Sequence, residues 1–198
     1  AKILCKSGSW TIICIQLART SDLFTEMESL QIAFGYGAKF PARYQDALYL
    51  ADWSFGKLRA VHLTPSGASY TGEVEEFISG QPFPVTDFIV NPRDGSMLLA
   101  VGGRNAQSAL YRVTYTGSES TVPSRADTRL QAHRDQRQKL EAFHGQMDPR
   151  AVETVWPYLG DPDRALRYAA RIALEWQDVV QWRQRALTEK NPRAAIAA

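Results

Sequence analysis

The chain is 198 residues long, 44% apolar and 22% charged, with a formal net charge of +2. That length and apolar content suit one large or two small soluble domains with ordinary cores, and exclude a disordered chain. Lysine and arginine are scattered rather than gathered into a basic stripe that would neutralise a phosphate backbone, so nucleic acid is not an expected partner.

Residues 1 to 30 hold the longest apolar run, Trp10 to Leu17. It falls well short of the roughly 20 residues that cross a bilayer, and Gln16 interrupts it, so no membrane span is expected. Cys5 and Cys14 match neither a zinc pair nor the Cys-x-x-Cys-His of haem attachment. Two free or buried thiols are the preferred reading over a disulfide. The segment offers no clear strand partner. A start at Ala1 and an end in "PRAAIAA" read as a piece of a longer protein, and no signal peptide marks a compartment.

From about residue 31 to 117 the pattern is β. Short runs rich in leucine, valine, tyrosine and phenylalanine are expected as strands at Gln31 to Gly35, Ala47 to Asp52, Leu58 to Leu63, Val74 to Ile78, Val85 to Val90, Met97 to Val101 and Ala109 to Tyr115. Pro65-Ser66-Gly67, Ser79-Gly80 and Asp94-Gly95 read as the turns between them. "LYLADWSFGKLRAVHL" and "LLAVGGRNAQSALYRVTY" follow one plan, with Leu58 matching Leu110 and Val61 matching Val113. A four-stranded unit that recurs every 40 to 50 residues or so is the mark of a β-propeller blade. The expectation is a partial propeller of about two blades, the second of which lacks a strand.

Residues 118 to 124 read as a polar linker. Beyond it, residues 125 to 198 turn charged and alanine-rich with helical periodicity. Ser124-x-x-Asp127 is expected to cap a helix running to about Phe143. Asp148-Pro149, Asp161-Pro162 and Asn191-Pro192 repeat one start signal: an Asx side chain accepts from free amides, and a proline at the first helical position loses no hydrogen bond. The Pro162 helix would bury Leu166, Ala169, Ala170 and Ala173, and another helix is expected over Val179 to Leu187. Short successive helices predict an incomplete α-solenoid.

These residues resemble a known family. "FGYGAKFPARYQDALYLADWSFGKLRAVHLTPSGASYTGEVEEFISG", "PVTDFIV", "VGGRNAQSALYRVTYTG", "LEAFHG" and "DPDRALRYAARIALE" are similar to a bacterial family of membrane-bound dehydrogenases. In that family a propeller like that of glucose/sorbosone dehydrogenases is joined to HEAT-type repeats, commonly with a c-type cytochrome domain after them. The resemblance covers about residues 31 to 198. It implies a sugar or alcohol dehydrogenase of quinoprotein type, outside the cytoplasm and membrane-associated at full length. Its cofactors would be pyrroloquinoline quinone and calcium, and a haem in a domain absent here would receive the electrons. The fragment alone would be inactive. A non-catalytic scaffold that binds a glycan at the β part and a protein partner on the helices is the alternative.

Antiparallel strands alternate direction, so reversals two strands apart emerge at one end. Asp52, Trp53, Ser54 and Lys57 should therefore share a rim with Arg104, Asn105, Gln107 and Ser108, and with Gln81 between them. As a cofactor site this assigns Arg104, Trp53, Lys57 and Ser108. Arg104 either meets a carboxylate of the quinone or pairs with Asp52 or Asp87. Trp53 either stacks on a flat ring or packs between blades. Asp52, Asn105 and Gln107 would face a sugar or polyol. Asp87 is either a metal ligand or a buried, hydrogen-bonded structural aspartate. His62, His133 and His144 have no companion acid at a telling spacing, so no catalytic base is assigned.

Overall fold

A computed structural model describes residues 2–5, 10–16, 31–103, 105–123 and 125–198, the first two stretches by their backbone alone. Its elements in chain order are β1 (Lys2–Cys5), β2 (Trp10–Gln16), β3 (Ile32–Phe34), α1 (Ala42–Gln45), β4 (Leu48–Asp52), β5 (Lys57–Ser66), β6 (Ser69–Gln81), β7 (Val85–Val90), β8 (Met97–Gly103) and β9 (Ala106–Tyr115). Helices α2 (Gln131–Glu141), α3 (Ala151–Val155), α4 (Arg164–Glu175), α5 (Val179–Thr188) and α6 (Pro192–Ala197) follow, with a 3₁₀ turn at Trp156–Tyr158 after α3. The side chains of Cys5 and Cys14, and the whole of Arg104 and Ser124, lie outside the described residues. Among the described residues no helix is long and apolar enough to cross a membrane.

The strands form two antiparallel sheets, ordered β1-β6-β5-β4-β3 and β2-β9-β8-β7. Consecutive strands make a meander of four in the first and three in the second, and the N-terminal segment adds one edge strand to each. Lys2 to Cys5 pair with Gln81 to Ile78, and Trp10 to Gln16 pair with Tyr115 to Ala109. Tyr49 and Ala51 are buried in β4 while Leu48, Leu50 and Asp52 are half-buried; Met97, Leu99 and Val101 are buried in β8 while Leu98 and Ala100 are half-buried. This period of two sends one face of each sheet into a common core. Tyr49 sits there edge-on to Phe77 at 5.3 Å and to Phe88 at 6.0 Å, and Phe83 edge-on to Tyr111 at 5.3 Å.

The expected partial propeller followed by a HEAT-like solenoid is therefore corrected: the described residues form a mixed α/β fold of two small antiparallel sheets and six α-helices. A blade within a ring is covered on both faces, whereas each sheet here buries one. A solenoid stacks like helix pairs, whereas the helices from α2 onward range from 5 to 12 residues, and α2, α3 and the 3₁₀ turn all gather on α4.

The chain divides into two compact units, residues 1–63 with 72–126, and residues 64–71 with 127–198. The second unit thus includes the tip of the β5–β6 hairpin. Ala68 at that tip is fully buried among Leu140, Val155, Leu159, Leu166, Ala169 and Ala170. One carboxylate fixes this arrangement. Asp163 caps α4, Oδ1 accepting from the Ala165 N–H at 2.7 Å, while Oδ2 accepts from the Ala68 N–H at 2.6 Å. Gly67 turns the hairpin with φ +56°, and a Cβ there would run into the same carboxylate.

Helix starts shift where side chains bond amides and carbonyls a few residues away. Asp161 accepts from the Asp163 N–H at 2.7 Å and so sets up the cap at Asp163, two residues later than the Asp161-Pro162 pair implies. Asp148 likewise accepts from the Arg150 N–H, and α3 begins at Ala151. Asn191 caps α6 as read. α2 starts only at Gln131, after Leu130 in a left-handed conformation at φ 56°. Arg134, 5% exposed, holds that lead-in by donating to the carbonyls of Arg129 and Asp127 and to the Gln131 side chain.

Asp163→Ala removes a cap, worth about 1 kcal/mol, and also strands the buried Ala68 N–H, worth about 1–3 kcal/mol more. Asn191→Ala removes a cap alone. Urea unfolding followed by far-ultraviolet circular dichroism should show the first variant destabilised at least twice as much as the second; equal losses would show that the Ala68 bond contributes nothing.

Candidate functional site

Three reversals meet at one end of the β unit. Pairing of Asp52 with Lys57 leaves Trp53 to Gly56 as the β4–β5 reversal, and pairing of Gly103 with Ala106 puts Asn105 in the β8–β9 reversal. The β6–β7 connection, with a cis Gln81–Pro82 peptide, lies beside both. Backbone bonds join them: Gly80 N–H donates to the Gly56 carbonyl at 3.1 Å, and Gly102 N–H to the Pro84 carbonyl at 3.0 Å. The Trp53 indole N–H completes the ring of bonds by donating to the Gly102 carbonyl at 3.1 Å. Gly103 has φ +93°, and a Cβ there would stand 3.1 Å from the Trp53 ring. Only glycine fits both the conformation and the approach.

Around this frame the charges are paired off. Asp52 Oδ2 accepts from Arg59 at 3.2 Å and Oδ1 from the Phe55 N–H at 3.1 Å. Lys57 Nζ donates to Glu76 at 2.6 Å. Asn105, at φ 58°, takes the left-handed conformation that asparagine tolerates best after glycine. Its side chain is exposed, as are those of Ser54, Gln81 and Gln107. Phe55, 73% exposed, stands at the crest of the β4–β5 reversal.

The structure thus brings Asp52, Trp53, Lys57, Asn105, Gln107 and Ser108 to one end of the unit, with Ser108 against Gly102. Arg104 lies outside the described residues. Asp87 is not part of the group. It is exposed on β7, not buried, and its Oδ1 accepts from the neighbouring Phe88 N–H at 2.7 Å. A tricarboxylic quinone needs unpaired cations and calcium needs several converging oxygens. The described residues do not fit either: Lys57 is held by Glu76, the Trp53 donor is spent on Gly102, and no group of three His, Cys, Asp or Glu suited to a metal occurs among them.

A second polar cluster escaped the sequence reading, because its members meet across a hairpin. His62 of β5 has a companion acid after all. Glu75 of β6 accepts from His62 Nε2 at 2.7 Å, from the Tyr44 hydroxyl at 3.0 Å and from Arg43 at 2.5 Å. His62 Nδ1 lies 3.1 Å from the Arg43 carbonyl, and its ring stands edge-on to Tyr44 at 5.5 Å. Glu73, Glu75 and Glu76 follow one another in β6, and strand alternation turns Glu75 toward His62 while Glu76 meets Lys57 on the other face. With both His62 ring nitrogens and both Glu75 oxygens engaged, the cluster clasps α1 to the sheet rather than presenting a free base. His144 is likewise engaged, Nε2 lying 2.8 Å from the Ala169 carbonyl.

Compared with known proteins, the chain matches no family model, no curated relative and no solved structure.

Burial pushes the Glu75 carboxyl up, but hydrogen bonds from His62, Tyr44 and Arg43 outweigh it and hold the group below the usual glutamate range. A depressed carboxyl contributes stability that is present above its unfolded value, about 4.3, and lost as pH falls through its folded value. Tyr44→Phe removes one donor. Carbon-13 titration should then show Glu75 protonating at higher pH than in the parent; an unchanged titration would mean that the Tyr44 hydroxyl does not hold the carboxylate.

Proposed function

We propose that this chain is the saccharide-recognising part of a sugar- or alcohol-oxidising protein that works outside the cytoplasm, and that it contributes binding rather than redox chemistry. The observation that carries the reading is the bonded rim, where Trp53 and Phe55 stand with exposed Asn105, Gln107 and Gln81 while Asp52 and Lys57 are neutralised by Arg59 and Glu76. Primary amides both donate and accept, which matches vicinal hydroxyls. Aromatic faces suit the apolar side of a sugar ring. A frame fixed before the ligand arrives lowers the ordering cost of binding.

The redox half of the proposal rests on the sequence resemblance. Pyrroloquinoline quinone, calcium and haem would be held by parts of the parent protein other than the described residues, since their donors do not fit those groups. No described histidine on the rim offers itself as a base: His62 is taken by Glu75 and Arg43, and His133 and His144 belong to the helical unit. The partners on this reading are a sugar or polyol at the rim and a protein on the helices.

Calorimetric titration of the full chain with neutral mono- and oligosaccharides, and with uronic acids of matched size, tests the reading. Neutral sugars should bind more tightly than the acids. Phe55→Ala and Gln107→Ala should each weaken binding roughly fivefold, about 1 kcal/mol, without shifting the unfolding midpoint, because both side chains are exposed. Absence of saccharide binding, or variants that bind like the parent, would overturn it.

A further inference from the structure

The helical unit leaves one of its faces uncovered. In α5, Trp182 and Ala186 pack against the core. Val180 and Leu187 lie two turns apart on the opposite side, 62% and 82% exposed. α6, which packs against α5, adds Ile196 at 88% exposure. Single exposed apolar residues are ordinary, but an apolar pair along one helix with a third exposed on the helix packed against it marks a candidate interaction surface.

Three exposed cations stand along this stripe. Arg183 lies between Val180 and Leu187, Lys190 follows in the connection, and Arg193 stands one turn before Ile196; all three are exposed. The nearby acids Asp178 and Glu189 are held in place by uncharged donors. Asp178 caps α5 by accepting from the Val180 N–H at 2.9 Å. Glu189 accepts from the Trp156 indole at 2.7 Å and from the Asn191 N–H at 2.8 Å. Arg185 differs from the other three, being held by Glu153 at 2.8 Å over the Trp156 ring. Among the described residues no ion pair engages Arg183, Lys190 or Arg193.

We infer that the α5–α6 face docks an acidic amphipathic helix of a partner protein, its apolar residues running along Val180 and Leu187 and its carboxylates meeting Arg183, Lys190 and Arg193. A second copy of this chain is disfavoured, because self-pairing would set these three cations against their own kind. A membrane surface takes a basic amphipathic helix as well, and binding to lipid vesicles is therefore an outcome of the test. Helix-on-helix docking reads apolar anchors at such spacings. The inference does not depend on the saccharide reading of the rim.

The test is selection of binders from a randomised helical peptide library on the immobilised full chain. Enriched peptides should carry leucine or isoleucine at i, i+3 or i+4 and i+7 with aspartate or glutamate beside them. Their affinity should fall at least tenfold on Leu187→Glu, while Arg183→Glu should switch preference toward the same peptides with lysine in place of the acids. Both variants change exposed residues, and circular dichroism checks that the fold persists. Enrichment of basic or neutral peptides, equal binding to the Leu187→Glu protein, tighter binding to phosphatidylserine vesicles than to any peptide, or concentration-dependent dimerisation lost on Leu187→Glu would each overturn it.

Discussion

The indole N–H of Trp53 has one hydrogen bond to give, and it gives it to the backbone of the other sheet at Gly102. That bond decides what the rim can be. Without it the β4–β5 and β8–β9 reversals are two separate turns, each free to move, and their polar side chains share no geometry. With it, Trp53 is fixed over Gly103, whose positive φ and missing Cβ make the approach possible. The Gly80–Gly56 and Gly102–Pro84 bonds then bring the third reversal into the same frame. The indole is in consequence a structural member first, and only its ring face and the exposed groups around it remain for a ligand.

A carboxylate plays the corresponding part in the helical unit. Asp163 satisfies two amides at once, one opening α4 and one at Ala68, the buried residue of the β5–β6 hairpin tip. The unit is therefore not a stack of equivalent helices but a cluster about α4, with Ala68 of the β5–β6 hairpin in its core. α5 and α6 stand outermost in this arrangement, and α5 contributes no fully buried residue. An apolar stripe there contributes little to the unit itself, which is why a docking role accounts for it better than packing does.

Local elements were legible in the sequence; their assembly was not. Val85–Val90 and the Asn191 cap emerge as read, because a period of two and an Asx-Pro pair are short-range signals. Ser79-Gly80 reads as a turn yet lies within β6, since Gly80 pairs with Ile3, a partner some 80 residues away in the chain. Pro65 sits inside β5 for a similar reason: that hairpin arm runs on to the tip that the helical core buries. The likeness between the two β segments reflects equal strand order, but a repeat does not state how sheets stack, and one-sided burial replaced the radial arrangement it implied. At the site, the meeting of the reversals followed from antiparallel geometry. The partners Glu76 for Lys57, Arg59 for Asp52 and Glu75 for His62 did not, because nothing in local spacing says which arm of a hairpin faces which.

Hydrogen exchange of the Trp53 indole proton tests the rim most directly, as resolved by nitrogen-15 spectroscopy on the full chain. If the indole bond holds the reversals together, that proton exchanges as slowly as the Gly80 and Gly102 amides, and all three speed up together in Trp53→Phe. Exchange at the rate of a free tryptophan side chain, with the two glycine amides still protected in the variant, would mean that the reversals are independent turns and that no common binding surface exists.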